Sequence, residues 1–149
     1  MLKKNILIIY TDGSCLKNPG GASGWCCCLI ENQKLISPGG EDLWILSGGE
    51  ISSTNNRMEL TAVNEALAMC KDGEECIIYT DSKLTLNCAK GIWKRKSNLD
   101  LWDIFDICSK NINIKWEWVK SHSTNDINNL VDQMARNEAK LIKNKNIVH

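Results

Sequence analysis

The sequence has no apolar run long enough to cross a membrane and no C-x-x-C pair. The first absence excludes a transmembrane helix, which needs about 20 consecutive apolar residues. The second removes the commonest zinc-site spacing. Net charge is absent too: 18 Lys and Arg balance 18 Asp and Glu. No global basic field advertises a polyanionic partner, so any such contact must come from a local patch. No targeting segment is legible. The apolar run at residues 6–10 is too short for a signal-peptide core and ends in Thr11-Asp12-Gly13.

What is present fits one soluble domain. Length is 149 residues, with 43% hydrophobic and 24% charged residues. Residues 1–143 are expected to form a single domain, with 144–149 a frayed tail. Eight cysteines are many for this length. Cys26, Cys27 and Cys28 are consecutive in an apolar run, and Cys70 and Cys108 fall on apolar helical faces. They read as reduced core residues of an intracellular, cytoplasmic protein, expected to be a monomer.

The apolar pattern predicts strands over residues 4–12, 25–31 and 43–51, the last ending through Gly48-Gly49. Short connections between them suggest an antiparallel meander: turn chemistry at residues 16–23, a turn at 31–34 and a loop at 37–42. The period then becomes helical over residues 55–70, with Ala62, Val63, Ala66 and Cys70 in a stripe and Thr54 or Asn55 as N-cap. A fourth strand follows at 76–80, then helices at 83–89, capped by Ser82, and 99–108. Residues 112–119 alternate cleanly as a fifth strand, with Ile112, Ile114, Trp116 and Trp118 on one face. A polar loop leads to a helix over 130–143 that turns Val131, Met134, Ala135 and Ile142 inward. The order is βββαβααβα. Helical crossovers favour parallel pairing, so the fold class is α/β: a mixed five-stranded sheet, three strands antiparallel and two added in parallel, flanked by helices.

The pentapeptide Ile-Ile-Tyr-Thr-Asp occurs twice, at residues 8–12 and 77–81. If these strands are parallel neighbours, Asp12 and Asp81 lie side by side at their carboxyl ends, where open α/β sheets bind ligands. Glu59 extends the apolar stripe of its helix, a costly place for an acid unless it is paired or bound to metal. Asp132 opens the last helix, beside the small Ala135 and Ala139. Clustered carboxylates repel unless a cation intervenes. All-oxygen ligands select a hard divalent ion, Mg²⁺ with Mn²⁺ as the alternative, and two such ions form the clamp of phosphodiester chemistry.

These acids sit in recognisable motifs: YTDGSCLKNPGGASGW at 10–25, TNNRMEL at 54–60, YTDSKL at 79–84, DLW at 100–102, WEWVKSH at 116–122 and NNLVDQMAR at 128–136. In order and spacing they resemble ribonuclease H of type 1, over residues 4–143. The resemblance implies the ribonuclease H-like fold and an endonuclease cutting the RNA strand of an RNA–DNA hybrid. It implies Asp12, Glu59, Asp81 and Asp132 as ligands of two metal ions, in-line attack by water, and 5′-phosphate and 3′-hydroxyl products. His122 matches a histidine that assists proton transfer or product release. Main-chain groups around Ser14 and Cys15, with Asn18, Asn55 and Asn56, would read 2′-hydroxyls. Thr54 would help hold a DNA-strand phosphate. Lys90, Trp93, Lys94, Arg95 and Lys96 form a basic run with one aromatic, the local patch that a neutral chain requires.

Two departures stand out. Many family members carry a longer basic handle where residues 91–102 are abbreviated, which predicts weaker hybrid binding or help from a partner domain. The family loop GHAGHPENE becomes SHSTNDINN at 121–129, keeping the histidine but not its small neighbours nor the acid at 129. The rivals are a resolvase or integrase-like nuclease of the same fold, a ribonuclease H domain of retroelement origin, and a hybrid-binding protein without activity. All four acids are present, so nothing in the sequence favours the last.

Overall fold

The computed structural model describes residues 6–31, 42–120 and 126–147. Five strands and four helices follow the predicted order: β1 (Ile6–Cys15), β2 (Ser23–Glu31), β3 (Asp42–Glu50), α1 (Asn55–Ala68), β4 (Glu75–Thr80), α2 (Lys83–Ala89), α3 (Leu99–Ser109), β5 (Asn113–Trp118) and α4 (Asp126–Ile147). The sheet order is β3-β2-β1-β4-β5. The β1–β2 and β2–β3 pairs are antiparallel, and β1–β4 and β4–β5 are parallel. No helix among the described residues is long and apolar enough to cross a membrane.

The central strands are covered on both faces. Leu7, Ile9, Cys27 and Ile78 join Leu60, Val63 and Leu67 of α1 and Trp102 and Phe105 of α3 in one core. Ile8, Tyr10, Cys26 and Cys28 join Val131 and Ala135 of α4 in the other. This explains three consecutive buried cysteines. Side chains alternate across a strand, so Cys27 enters one core and its neighbours the other. Burial pushes the Cys26 thiol up to about 12, and raises Cys27 further, which keeps both protonated.

Thr54 is the N-cap of α1, settling the choice between it and Asn55. Its backbone is extended, and its hydroxyl accepts the Arg57 N–H at 3.1 Å. Thr54→Ala is expected to cost about 1 kcal/mol of stability, read as a lower urea midpoint at unchanged slope.

Several boundaries differ from the sequence reading. β1 runs past Asp12 to Cys15 because β2 pairs with it as far as Ser23. β3 contains Gly48 and Gly49 as ladder residues opposite Trp25 and Gly24. α4 begins at Asp126, inside the expected polar loop, because Ile127 packs on the second core one turn before Val131. It continues past Lys143 to Ile147, since no Gly or Pro interrupts 144–147. On β5, Ile114 and Trp116 reach the first core with the adjacent Ile112, whereas Trp118 stays 44% exposed. Most of the turn and loop expected at 31–42 lies outside the described residues.

Candidate active site

The repeated pentapeptide is in register with itself. In the parallel β1–β4 pair, Ile8 faces Ile77, Ile9 faces Ile78 and Tyr10 faces Tyr79. The two tyrosine rings stack with centroids 4.6 Å apart. The β1–β4 ladder stops there: β4 ends at Thr80 and Val119 N–H caps its carbonyl at 2.9 Å. Asp12, still paired with β2, and Asp81, just past the end of β4, therefore lie at the same level, where the two parallel strands part.

Glu59 arrives from α1 through a close helix–strand approach. A Cβ on Gly13 would lie 2.5 Å from the Glu59 backbone nitrogen and 2.6 Å from the Met58 carbonyl carbon. Only glycine lets α1 sit this near β1. On the opposite face a Cβ on Gly24 would lie 2.2 Å from the Ala135 carbonyl oxygen, so α4 is seated by the same device. Two glycines thus set the distance of both acid-bearing helices from the sheet.

The result is a cluster. Asp12, Glu59 and Asp81 each present a carboxylate oxygen, all within 4.8 Å of one another. Asp12 is 3% and Glu59 8% exposed. Burial pushes the Asp12 carboxyl up to about 7; a hydrogen bond with Glu59 opposes the rise and the Asp81 charge adds to it. Glu59 stands well above the usual carboxylate range, first from burial and then from the Asp12 charge. Its Oε2 is buried without a hydrogen-bond partner. An orphaned acceptor between two other carboxylates fits a bound hard cation, which would satisfy it and remove the repulsion. The all-oxygen donor set and this orphaned atom both suit a divalent cation.

Asp132 stands apart from that trio. It lines the same cleft, of about 450 Å³, and its Oδ2 is bound by the Arg136 guanidinium one turn on. Ser14, Cys15, Asn55 and Asn56 line the cleft as well. The loop at 16–22 is tied to the start of α1: Gly20 N–H donates to the Ser53 carbonyl at 2.7 Å, and Asn55 N–H to Asn18 Oδ1 at 3.2 Å. That places Asn18 and Thr54 at the cleft's edge rather than in its lining.

The basic run is divided. Lys94 and Lys96 line a smaller cleft of about 100 Å³ that shares Asn56 with the first. Lys90 and Trp93 are exposed. Arg95 turns inward instead: it forms a two-pronged pair with Asp106 at 2.8 and 2.9 Å and lies 4.3 Å from the Trp102 ring centroid. His122 lies outside the described residues.

Sequence reasoning gave no role to four residues that shape the site. Arg57 clamps Asp100 with contacts of 3.0 and 2.8 Å, tying α1 to α3. Trp118 donates its indole N–H to the Asp81 carbonyl at 3.2 Å and carries Lys83 over its ring at 4.6 Å. Arg136 holds Asp132. Asn128, 2% exposed, lines the cleft. All four lie within the quoted motifs at 54–60, 116–122 and 128–136, which is the one signal the sequence offered for them.

The raised carboxyl pKa values give a signed expectation for the metal-free protein. A group whose folded pKa exceeds its unfolded value contributes stability that is complete below the unfolded pKa and is lost as pH rises through the folded one. For Asp12 that window runs from 3.8 to about 7, and Glu59 acts in the same direction. In EDTA the denaturation midpoint is expected to fall across that window, and saturating Mg²⁺ is expected to flatten the fall.

A family model for RNase H matches residues 4–140. A ribonuclease H from Caldicellulosiruptor saccharolyticus is 38% identical over 148 residues, covering 90% of this chain and 96% of its own. The crystal structure of LC9-RNase H1, described as a type 1 RNase H with the type 2 active-site motif, matches with a TM-score of 0.76 at 25% identity, over 94% of this chain and 74% of that one. LC11-RNase H1, solved in complex with an RNA/DNA hybrid, shares the fold with a TM-score of 0.71 at 18% identity, over 91% of this chain and 97% of its own.

Proposed function

The chain belongs to the RNase H family and is a ribonuclease H enzyme, and from that premise we propose that it cuts the RNA strand of RNA–DNA hybrids by two-cation hydrolysis, leaving 5′-phosphate and 3′-hydroxyl ends. The observation that carries this reading is the trio of Asp12, Glu59 and Asp81 within 4.8 Å at the carboxyl end of a parallel strand pair. The hybrid bound by LC11-RNase H1 agrees with the substrate class.

RNase H enzymes depend on divalent metal, and here Asp12, Glu59 and Asp81, with Asp132 on the rim, are the residues that would hold it. Mg²⁺, or Mn²⁺ in its place, supplies the positive charge that activates water and stabilises the leaving 3′-oxygen. The chain does the rest. Asp12 and Glu59 are buried, and Glu59 Oε2 has no hydrogen-bond partner, so a bound cation would offset the cost of their charges. Arg136 neutralises Asp132 until substrate and metal compete for it. Ser14 and Cys15 on one wall, with Asn55 and Asn56 on the other, face the minor groove and contact 2′-hydroxyls, so RNA is distinguished from DNA. Asn18 and Thr54 hold the edge of that wall. Lys94 and Lys96 lie beside Asn56 and receive the DNA-strand phosphates, with Lys90 and Trp93 extending the surface. Arg95 is committed to Asp106 and contributes by stiffening the segment that carries them. His122 assists proton transfer or product release. With the basic handle short, weaker hybrid binding or help from a partner domain is expected; we read the enzyme as a cytoplasmic monomer.

Product end groups test the finer reading. A ladder with 5′-phosphate and 3′-hydroxyl ends is expected. A 2′,3′-cyclic phosphate would mean that the 2′-hydroxyl attacks, and would overturn hydrolysis by water.

A further inference from the structure

Asp81 is the one member of the acidic trio that stands outside a regular element. Asp12 is a rung of β1, paired with Cys26 of β2. Glu59 sits in the second turn of α1, a helix seated against β1 at Gly13. By contrast β4 ends at Thr80, and α2 begins at Lys83 with Ser82 as its N-cap, so Asp81 falls in the gap. The β1–β4 ladder has already stopped, at Tyr10 and Tyr79. A carboxylate on an unsupported bend samples many positions. A working ligand has to be held within about 0.5 Å of its place. The gap is bridged from β5. Val119 N–H donates to the Thr80 carbonyl at 2.9 Å, just before Asp81. Trp118 reaches Asp81 itself: its indole N–H donates to the Asp81 carbonyl at 3.2 Å. Core packing does not account for this tryptophan. Ile114 and Trp116, on the same face of β5, reach the first core, whereas Trp118 stays 44% exposed. Lys83, in the first turn of α2, lies over its ring at 4.6 Å from the centroid. One indole thus ties β5 to Asp81 and to the residue that opens the next helix.

We propose that Trp118 is a positioning residue for the metal site: its indole N–H, steadied by Lys83, fixes the Asp81 backbone so that the carboxylate meets Asp12 and Glu59. The inference rests on the proposed reading that this trio holds the cation. The hydrogen bond acts on the main chain, so it sets where the carboxylate stands and leaves its charge alone. Without it the bend is freed, and Asp81 has to be ordered anew each time a cation binds. Metal affinity falls. The hybrid meets other groups, at Ser14, Cys15, Asn55 and Asn56, and is held as before.

Trp118→Phe keeps a ring beneath Lys83 and removes the donor. The test is a Mg²⁺ titration of the full-length protein without substrate, read by melting temperature. In the variant the Mg²⁺ concentration at half-maximal stabilisation is expected to rise by about 10-fold or more. In EDTA the two proteins are expected to melt together. At saturating Mg²⁺ the KM for the hybrid is expected to be unchanged. Trp44→Phe, which alters a second exposed tryptophan on β3, is expected to move none of these readings. Wild-type protein that gains no stability from Mg²⁺ would overturn the metal site and this inference with it. Wild-type protein that is stabilised, beside a Trp118→Phe variant with the same Mg²⁺ midpoint or one weakened equally in EDTA and in Mg²⁺, would overturn this inference alone.

Discussion

Asp12→Asn is expected to lower hybrid cleavage by about 10³-fold or more while leaving the protein folded, and, without metal, more stable than wild type. The two effects have one cause. Asp12 is 3% exposed and shares its site with Glu59 and Asp81, so its charge is unfavourable in the empty site. A carboxyl moved from 3.8 to about 7 implies a ceiling of about 4 kcal/mol at alkaline pH. Its coupling to Glu59 divides that penalty, so a gain of about 1–2 kcal/mol is expected for the variant in EDTA at pH 8. Added Mg²⁺ should reverse the ranking, because only the intact trio gains stability from binding. Thermal melts of both proteins with EDTA and with Mg²⁺, beside a cleavage assay, read all of this. A wild-type level of cleavage in Asp12→Asn would remove the metal site from the account.

Gly13→Ala is expected to be nearly as damaging through a different route. The new methyl would meet backbone on α1, at 2.5 Å from the Glu59 nitrogen, where no flexible side chain can give way. α1 must shift off β1, and Glu59 moves with it. Overpacking of this kind costs about 1–3 kcal/mol of stability, and a displacement near 1 Å at a reacting centre costs about 10²-fold in rate. Urea denaturation and cleavage rate should fall together. A variant of normal stability and normal activity would show that the close approach does not set the Glu59 position.

The strand order, the helical crossovers and the placement of Asp12 and Asp81 were legible because they follow from period, connection length and a repeated pentapeptide. Glu59 was legible as an acid on an apolar stripe. What escaped were contacts between elements far apart in sequence. Nothing local says that Gly13 receives α1 or that Gly24 receives α4. Arg95 belongs to a basic run by sequence, yet Asp106, on α3, takes its charge. Trp118 alternates with core residues but stays half-exposed under Lys83 and donates to the Asp81 carbonyl instead. α4 began early because Ile127 found a core that only the tertiary fold provides.

The central claim is that carboxylates at the parting of β1 and β4 serve cleavage of RNA paired with DNA. Its most direct test is digestion of a hybrid labelled on the RNA strand, with Mg²⁺ and with EDTA, beside RNA–RNA and DNA–DNA duplexes and a hybrid labelled on the DNA strand. Cutting confined to the RNA strand of the hybrid, and abolished by EDTA, is the predicted result. Binding of the hybrid without cutting, cutting that survives EDTA, or equal cutting of the DNA strand would contradict it.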